Sequence, residues 1–403
     1  MTRDVIRLLA ALALVGVVSS CSDNSGPAAG PPVGIVITPF DTALQQGRGL
    51  QYHAGLVDST GTTVPGASFT WSTDAAGVAT VSASGLVTAH QVGAVLVTVT
   101  SDTLSASVPL TVIDSLITTR LDMQASPFGI GIAGTQAFVT LPLADSLRVI
   151  NTTLQRVVST LPTGGAPTEV AVNPAGTRVY VANQDATLGV IDPATNTTVS
   201  TVPVPGGLYA VVVSGDGATV WTSSTNWSRV YSVDATTLAV TDTGPAPVAA
   251  VGLARHPTLP RLYSGGQGEV IGDANLYELD AGTLDSLRSW VIEGTASEIA
   301  VAPDGSRLFV ADQSGQLNVI ALPSGVAEPA IPLLGGALGM TLSPDGTRLA
   351  LSVAGGWVEV YSLATLQRVK LVFVGGTPRG LAYTTDGSRL LVTNENRWVD
   401  FIR

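Results

Sequence analysis

Short runs of alternating apolar and polar residues, separated by turn residues, fill the chain from about residue 34 onward. In one representative stretch the runs are Thr168–Asn173, Arg178–Ala182, Leu188–Asp192 and Thr197–Val204. Each run has the length of a β-strand, and the alternation places every second side chain on one face of a sheet. No helical run of useful length follows residue 20. The pattern therefore predicts an all-β protein.

A unit of about 41 residues repeats through the second part of the chain. A glycine, then Ser or Thr (Ala after Gly217), a variable residue and an apolar strand recur at spacings of 42, 41, 88, 41 and 41 residues. The long interval contains one degenerate unit around Leu259, so there are seven units, each large enough for four antiparallel strands (A to D). This predicts a seven-bladed β-propeller. The turn glycines are Gly134, Gly176, Gly217, Gly305, Gly346 and Gly387.

Two features of the repeats predict how the blades pack and how the ring closes. The last unit ends after strand C, whereas Leu116–Met123 precedes the first strand A and has the pattern of a strand D. We therefore expect this N-terminal strand to complete the last blade, leaving no open sheet edge. One position of strand B is aromatic in five of seven units, which predicts packing between neighbouring blades. That position holds Phe138, Tyr180, Trp221, Tyr263, Phe309, Ala350 and Leu391.

Residues 34–112 form a separate all-β stretch. They contain Ile35–Pro39, Phe69–Ser72, Gly77–Val81 and Ser84–Ala89, in that order. In order and spacing these segments resemble the bacterial Ig-like domain of group 2, a small sandwich without disulfides. Alternation places Ala79 and Val81 on one face, where they fill the core with Trp71, and Gly85 makes a tight turn. The resemblance implies display rather than catalysis.

The propeller repeats also carry a family resemblance. Val179–Asn183 and Leu391–Asn394 occupy the same register of strand B. With these segments, residues 115–403 resemble the YVTN family of seven-bladed propellers. The fourth unit departs most, because it lacks the turn glycine and inserts Glu269–Asp273 between strands B and C.

The N-terminal segment predicts export and lipidation. Residues 1–20 combine Arg3 and Arg7 with an apolar stretch from Leu8 to Val18, and small residues precede Cys21, the only cysteine. This arrangement describes an export signal and resembles a bacterial lipobox, which implies cleavage before Cys21 and acylation of that residue. Residues 21–33 then form a Gly/Pro/Ser-rich tether. The expected location is a membrane-anchored lipoprotein of the outer membrane or the cell surface.

Composition restricts the chemistry. Charged residues make up 12 % of the chain and the net charge is −11, which argues against a nucleic-acid partner. Of three histidines only His256 lies in the repeats, at the end of a strand A, where a turn role is expected. The Asp-Gly turns lack the further acids of a calcium loop. Gly129–Gly134 spells a phosphate-loop motif but is itself strand A and its turn. We therefore expect no catalytic residues, no metal and no cofactor.

The candidate binding face is the end of the propeller where strand D connects to strand A and strand B to strand C. Aromatic, amide and charged residues vary there around the central channel, as a recognition surface would. Tryptophans at the start of strand C could stack on sugar rings or peptide side chains. Glu169 and Glu298 lie roughly across the ring, and the width of the channel is expected to separate them. The candidate residues are Phe128, Thr168, Glu169, Asn183, Tyr209, Trp227, Glu298, Asp312, Trp357, Arg379, Asn394 and Trp398.

These observations favour a lipid-anchored envelope protein in which an Ig-like stalk presents a propeller that binds an envelope protein or glycan without catalysis. Two alternatives stay open. One is a scaffold subunit of an envelope complex with a constitutive protein partner. The other is a cofactor-handling or enzymatic propeller, similar to the lipoproteins of haem d1 assembly or to lactonases, although His256 lies in the wrong register for such a site.

Overall fold

The computed structural model describes residues 30–39, 43–270 and 272–403. It divides into two compact units, residues 1–115 and 116–403. Cys21, the export signal and most of the tether lie outside the described residues. Both units are built from strands, as the alternation pattern predicts.

The described residues of the first unit form ten strands in three small sheets. The sheet orders are β1-β4-β5, β2-β10-β9-β6 and β3-β8-β7, and all pairings are antiparallel except β10 with β2. The strands are β1 (Gly34–Thr38), β2 (Ala43–Gln45), β3 (Gly49–Gln51), β4 (His53–Val57), β5 (Thr63–Val64), β6 (Thr70–Thr73), β7 (Ala79–Val81), β8 (Leu86–Ala89), β9 (Gly93–Ser101) and β10 (Leu104–Ile113).

The core of this unit forms as the sequence predicts. Ala79 is fully buried, Val81 packs against the same cluster, and Trp71 stacks on the buried Tyr52 with ring centroids 6.3 Å apart. Gly85 adopts φ +86°, and a Cβ there would lie 2.5 Å from the Tyr52 carbonyl oxygen. Only glycine therefore fits this turn without moving the backbone.

The second unit consists of seven antiparallel sheets, which are the seven predicted blades. Blade 1 holds β12 (Ile130–Ala133), β13 (Gln136–Leu141), the 3₁₀ turn η1 (Pro142–Ala144), β14 (Ser146–Asn151) and β15 (Arg156–Pro162), and blade 2 holds β16 (Pro167–Val172), β17 (Val179–Asn183), β18 (Thr187–Asp192) and β19 (Thr197–Pro203). Blade 3 holds β20 (Leu208–Val213), β21 (Thr219–Ser224), β22 (Arg229–Asp234) and β23 (Val240–Pro245). Blade 4 holds β24 (Val248–Arg255), β25 (Arg261–Gln267), β26 (Leu276–Asp280) and β27 (Ser286–Trp290).

In blade 5 the outer strand is split into two short pieces that both pair with strand C. Blade 7 has only three strands from its own repeat. Blade 5 holds β28 (Ala296–Val301), β29 (Arg307–Asp312), β30 (Gln316–Ala321), β31 (Val326–Ala327) and β32 (Ile331–Pro332). Blade 6 holds β33 (Ala337–Leu342), β34 (Arg348–Val353), β35 (Trp357–Ser362) and β36 (Arg368–Phe373). Blade 7 holds β37 (Pro378–Tyr383), β38 (Leu390–Asn394) and β39 (Trp398–Ile402).

The ring closes as predicted, because the N-terminal strand β11 (Ile117–Asp122) pairs antiparallel with β39 as the outer strand of blade 7. Arg120 lies opposite Asp400 in this pairing. Its guanidinium donates two hydrogen bonds to the fully buried Asp400 carboxylate, at 2.7 and 2.8 Å, and one to the Val374 carbonyl. It also stacks on Trp398, 4.0 Å from the ring centroid. An ion pair therefore reinforces the closing strand pair.

The aromatic position of strand B lies between neighbouring blades, as predicted. Phe138 of blade 1 packs with Val179 and Val181 of blade 2, and Phe309 of blade 5 packs with Leu349 of blade 6. All seven side chains at this position are buried. Six of the seven blades therefore place a large side chain at this position, and blade 6 places Ala350 there.

The arginines that begin strand B in several blades form ion pairs within a blade. Arg178 pairs with Asp192 at 3.5 Å, Arg261 with Asp280 at 3.2 Å, and Arg307 with Glu328 at 3.0 Å. Each partner belongs to the same blade, because strand B starts beside the end of strand C in its own sheet. These arginines join strands within a blade.

Candidate binding face at the propeller channel

The inner strands carry a repeated irregularity that sets the geometry of the site. In blades 2 to 7 the pairing of strand A with strand B shifts register near the start of strand A, whereas blade 1 pairs without a shift. A β-bulge adds an unpaired residue and re-aims the neighbouring side chains. The shifts fall beside Glu169, Tyr209, Glu298 and Arg379. Four of the predicted candidates therefore occupy bulged backbone at the end of strand A that meets the connecting loops.

These bulges bring charged and aromatic groups from different blades together. Arg379 donates a hydrogen bond from Nε to Glu395 Oε1 at 2.6 Å, and its Cζ lies 5.2 Å from the ring centroid of Phe128. Phe128 meets Tyr209 edge to face, with ring centroids 5.9 Å apart. We name the group formed by Phe128, Glu169, Tyr209, Glu298, Arg379 and Glu395 the mouth cluster; all six side chains are half-buried.

The two glutamates of the mouth cluster have strongly perturbed acidities. Burial raises the pKa of Glu169 to about 7, opposed by the Val170 amide and the positive charge of Arg379. Burial, together with the negative charge of Glu169, raises the pKa of Glu298 to about 8, opposed by the positive charge of Arg379 and the Met340 backbone. The charge of Glu169 therefore acts on Glu298 electrostatically, while the expectation that the width of the channel separates the two carboxylates stays a prediction.

Tyr209 and Glu395 complete the electrostatics. Burial and the negative charges of Glu169 and Glu298 raise the pKa of Tyr209 well above its usual range, so its hydroxyl keeps its proton. Glu395 balances the charge of Arg379. Glu169 and Glu298 have no cation of their own in the mouth cluster, so it carries excess negative charge when both are ionised.

Four candidates are not available to a ligand: Thr168, Asn183, Asp312 and Asn394 are buried, with at most 2 % exposure. Three of them end strand B and hold loops through their side chains. Asp312 Oδ1 accepts the Ser314 and Gln316 amides at 2.9 and 3.0 Å. Asn394 donates to the Gly375 carbonyl at 2.7 Å.

The side chains of Asn183 and Thr168, the other two buried candidates, also make structural hydrogen bonds. Asn183 donates to Thr187 Oγ1 at 3.1 Å, and Thr168 donates to the Tyr209 carbonyl of the next blade at 2.8 Å. The Asn183 Oδ1 atom is buried without a hydrogen-bond partner among the described residues. These four positions are too buried to line the mouth, and the hydrogen bonds of their other polar atoms stabilise loops and blade contacts.

The three tryptophans differ in their surroundings. Trp357 packs on Phe373 with ring centroids 4.7 Å apart, and Trp398 lies under Arg120 and donates its indole proton to Asp400 at 3.1 Å. Trp227, in the loop between β21 and β22, is 59 % exposed. Of the three, only Trp227 offers an accessible aromatic face for recognition.

The motifs expected to be structural have structural contacts. His256 is buried; its Nδ1 accepts the Leu259 amide at 2.9 Å and its Nε2 lies 3.1 Å from the Gly305 carbonyl oxygen. Asp304 accepts the Ser306 amide of its own turn at 2.9 Å. Gly129–Gly134 forms strand β12 and its turn and leads into strand β13, not into a helix.

Glu395 is the member of the mouth cluster that sequence reasoning missed. It lies in the loop between β38 and β39, next to the candidate Asn394, but no other blade has an acid at this position. The sequence offered one signal: Glu395 directly follows strand B of blade 7, and strand B pairs with the strand A that carries Arg379. Over the described parts of the chain, no group of three or more metal-ligating side chains occurs, and no helix there is long and apolar enough to cross a membrane.

Comparison with known proteins identifies one domain and supports the fold of the other. Residues 33–112 match the family model of the bacterial Ig-like domain (group 2). No curated protein matches the chain. Among solved structures, the chain is similar to hydrazine synthase from Kuenenia stuttgartiensis, with 18 % sequence identity, a TM-score of 0.62, and coverage of 69 % of this chain and 95 % of that one. At this identity the similarity concerns the fold alone.

Proposed function

We propose that this protein is a lipid-anchored binding protein of the bacterial cell envelope. Acylated Cys21 would hold it to the membrane, the Ig-like domain would act as a stalk, and the YVTN-like propeller would present the loops that connect strand D to A and B to C. We call these loops, together with the mouth cluster, the recognition face. The Ig-like match supports a surface or binding role, since such domains occur in bacterial surface proteins.

The mouth cluster is the observation that carries this proposal. Its aromatic rings, arginine and carboxylates come from blades 1, 2, 3, 5 and 7, so only the assembled ring creates it. Convergence of a few polar groups and aromatic surface is typical of binding sites. The proposed action is non-covalent: His256 is buried with both ring nitrogens engaged, and His53 and His90 belong to the other unit.

The proposal is tested by binding with the full soluble protein, residues 22–403. The protein is applied to a glycan array and to envelope extracts, beside Trp227→Ala and Arg379→Ala. A matched control is Leu154→Ala, because Leu154 is 57 % exposed in the loop between β14 and β15, away from the recognition face. Binding weakened by both test variants but not by the control supports recognition at this face.

The outcomes separate display from the scaffold alternative. A stable partner that appears only in whole-envelope extracts, and is insensitive to Trp227→Ala and Arg379→Ala, favours a scaffold subunit. Visible absorbance of the purified protein would instead favour a cofactor-handling propeller. The anchor is tested separately by lipid labelling and membrane fractionation of Cys21→Ser, which is expected to lose both signals.

A further inference from the structure

The connecting loops of the recognition face are acidic. Their single basic residue is Arg397, whereas at the opposite end the arginines at the start of strand B are accompanied by aspartates, and Arg178 and Arg261 pair with Asp192 and Asp280. Because charges on one surface attract partners of opposite sign, such a face favours a basic partner. The acidic residues in these loops are Asp145, Asp185, Glu269, Asp273, Glu293 and Glu395.

Large apolar side chains are exposed in the same loops. Leu143 is 90 % exposed, Trp227 and Val291 are each 59 % exposed, and Leu334 is 51 % exposed. At the opposite end, the exposed large apolar residues of the described chain are Leu154 and Leu259 in the loops and Val240 and Val326 at the start of strand D. Exposed apolar groups combined with charge are typical of surfaces that bind proteins.

The centre of the face already holds one guanidinium. Arg379 lies over Phe128 and is paired with Glu395, which shows that a cation fits between aromatic and carboxylate groups here. Its charge lowers the pKa of Glu169 and Glu298 without overcoming the effect of burial. The two glutamates therefore lack a full counter-charge, and a second cation would supply it.

We propose that the recognition face binds a protein segment rich in basic and apolar residues, and that one lysine or arginine side chain of that segment inserts at Glu169 and Glu298. This inference rests on the proposed function and adds the chemistry of the partner. The ammonium or guanidinium group would form charge-assisted hydrogen bonds to the carboxylates and lie near the rings of Phe128 and Tyr209.

The insertion is coupled to protonation. With pKa values of about 7 and 8, Glu169 and Glu298 hold protons near neutral pH, and a bound cation favours their ionised forms. The other titratable or charged groups that face them are Tyr209, Arg379 and Glu395. Affinity is therefore expected to rise between pH 6 and pH 9, with protons released on binding at intermediate pH.

The test uses a fluorescein-labelled decapeptide with three lysines and three leucines, and the same peptide with glutamine in place of lysine. Anisotropy titrations are made at pH 6 and pH 8.5 with the full soluble protein, Glu169→Gln, Glu298→Gln and the control Glu328→Gln, which lies between the two pieces of the outer strand of blade 5. At pH 8.5 each mouth variant is expected to weaken binding about tenfold, because a charged hydrogen bond is lost. At pH 6 the difference is expected to shrink below about threefold, since glutamine mimics protonated glutamate.

Calorimetry in buffers of different ionisation enthalpy measures the released protons, and thermal unfolding checks that each variant is folded. Lysine-peptide binding that is equal in the wild type and both mouth variants overturns the proposal. The proposal is also overturned if spermidine displaces the labelled peptide at the same concentration as unlabelled peptide does, because the site would then bind free polyamines.

The remaining outcomes separate the two proposals. If the peptide does not bind but the envelope pull-down retains a partner sensitive to Trp227→Ala, the basic-segment inference fails and the binding function stands. If neither the peptide nor any envelope component binds, both fail.

Discussion

The buried glutamates of the mouth cluster make a quantitative prediction about stability and pH. Glu298 has a pKa of about 8 in place of the ordinary 4.5. A raised pKa means that the folded protein binds this proton more tightly than the unfolded chain, so its stabilising effect is complete below about pH 4.5 and is lost as the pH rises through about 8. Replacing Glu298 with Gln removes this dependence.

The size of this effect on the free energy of unfolding follows from the pKa values of Glu298 in the folded protein and in the unfolded chain. A tenfold change in the dissociation constant is worth about 1.4 kcal/mol, so the full titration of Glu298 corresponds to about 5 kcal/mol. Roughly two thirds of this, about 3 kcal/mol, falls between pH 5.5 and pH 8.5. Because the side chain is half-buried and water reaches the channel, we discount the figure to about 2 kcal/mol. For a domain of this size that is about 4–8 °C in Tm.

The measurement is thermal unfolding followed by tryptophan fluorescence at pH 5.5 and pH 8.5. Five of the six tryptophans lie in residues 116–403, so the signal reports the propeller. Glu298→Gln is expected to lose less stability than the wild type over this pH range. Glu293→Gln, at an exposed glutamate in the loop before β28, is the matched control and should behave as the wild type. An identical pH dependence in Glu298→Gln and wild type would refute the reasoning.

Three further predictions concern packing. Arg120→Ala leaves Asp400 buried and unpaired, so we expect a loss of about 3–5 kcal/mol in propeller stability by denaturant unfolding; equal stability of variant and wild type would contradict it. Gly85→Ala forces a Cβ to within 2.5 Å of the Tyr52 carbonyl and places alanine at φ +86°, so thermal unfolding of the Ig-like unit should show at least about 2 kcal/mol of destabilisation. Trp227→Ala removes a side chain that is 59 % exposed, so Tm should stay within about 2 °C while partner binding falls; a large Tm loss would assign it a structural role.

Much of the fold could be predicted from the sequence because several repeats independently indicate the same order of strands and turns. The turn glycines, the strand B aromatics and the strand-like Leu116–Met123 each constrain the same seven-bladed ring. The split outer strand of blade 5 was not predicted. Val326–Ala327 and Ile331–Pro332 are short pieces around Glu328, which pairs with Arg307, and this pairing depends on three-dimensional contacts.

The candidate site was harder to predict, because register says which end of a strand a residue occupies but not which way its side chain turns. Asn183, Asp312 and Asn394 share a register at the end of strand B, yet their polar atoms turn inward to the loops. Glu169 and Glu298 come within electrostatic range because bulged backbone aims them at the mouth cluster. A bulge depends on the pairing of two strands and leaves no clear mark in either one.

The closure of the ring has a mechanical consequence. The chain enters the propeller at β11, the outer strand of blade 7, so any tension from the N-terminal side reaches the ring first at the β11–β39 ladder and its Arg120–Asp400 pair. A partner bound at the recognition face would pull against the same strand pair when the N-terminal side is under tension. Loss of β11 would uncover the edge of β39, so this ladder is also what keeps the last blade from pairing with another chain.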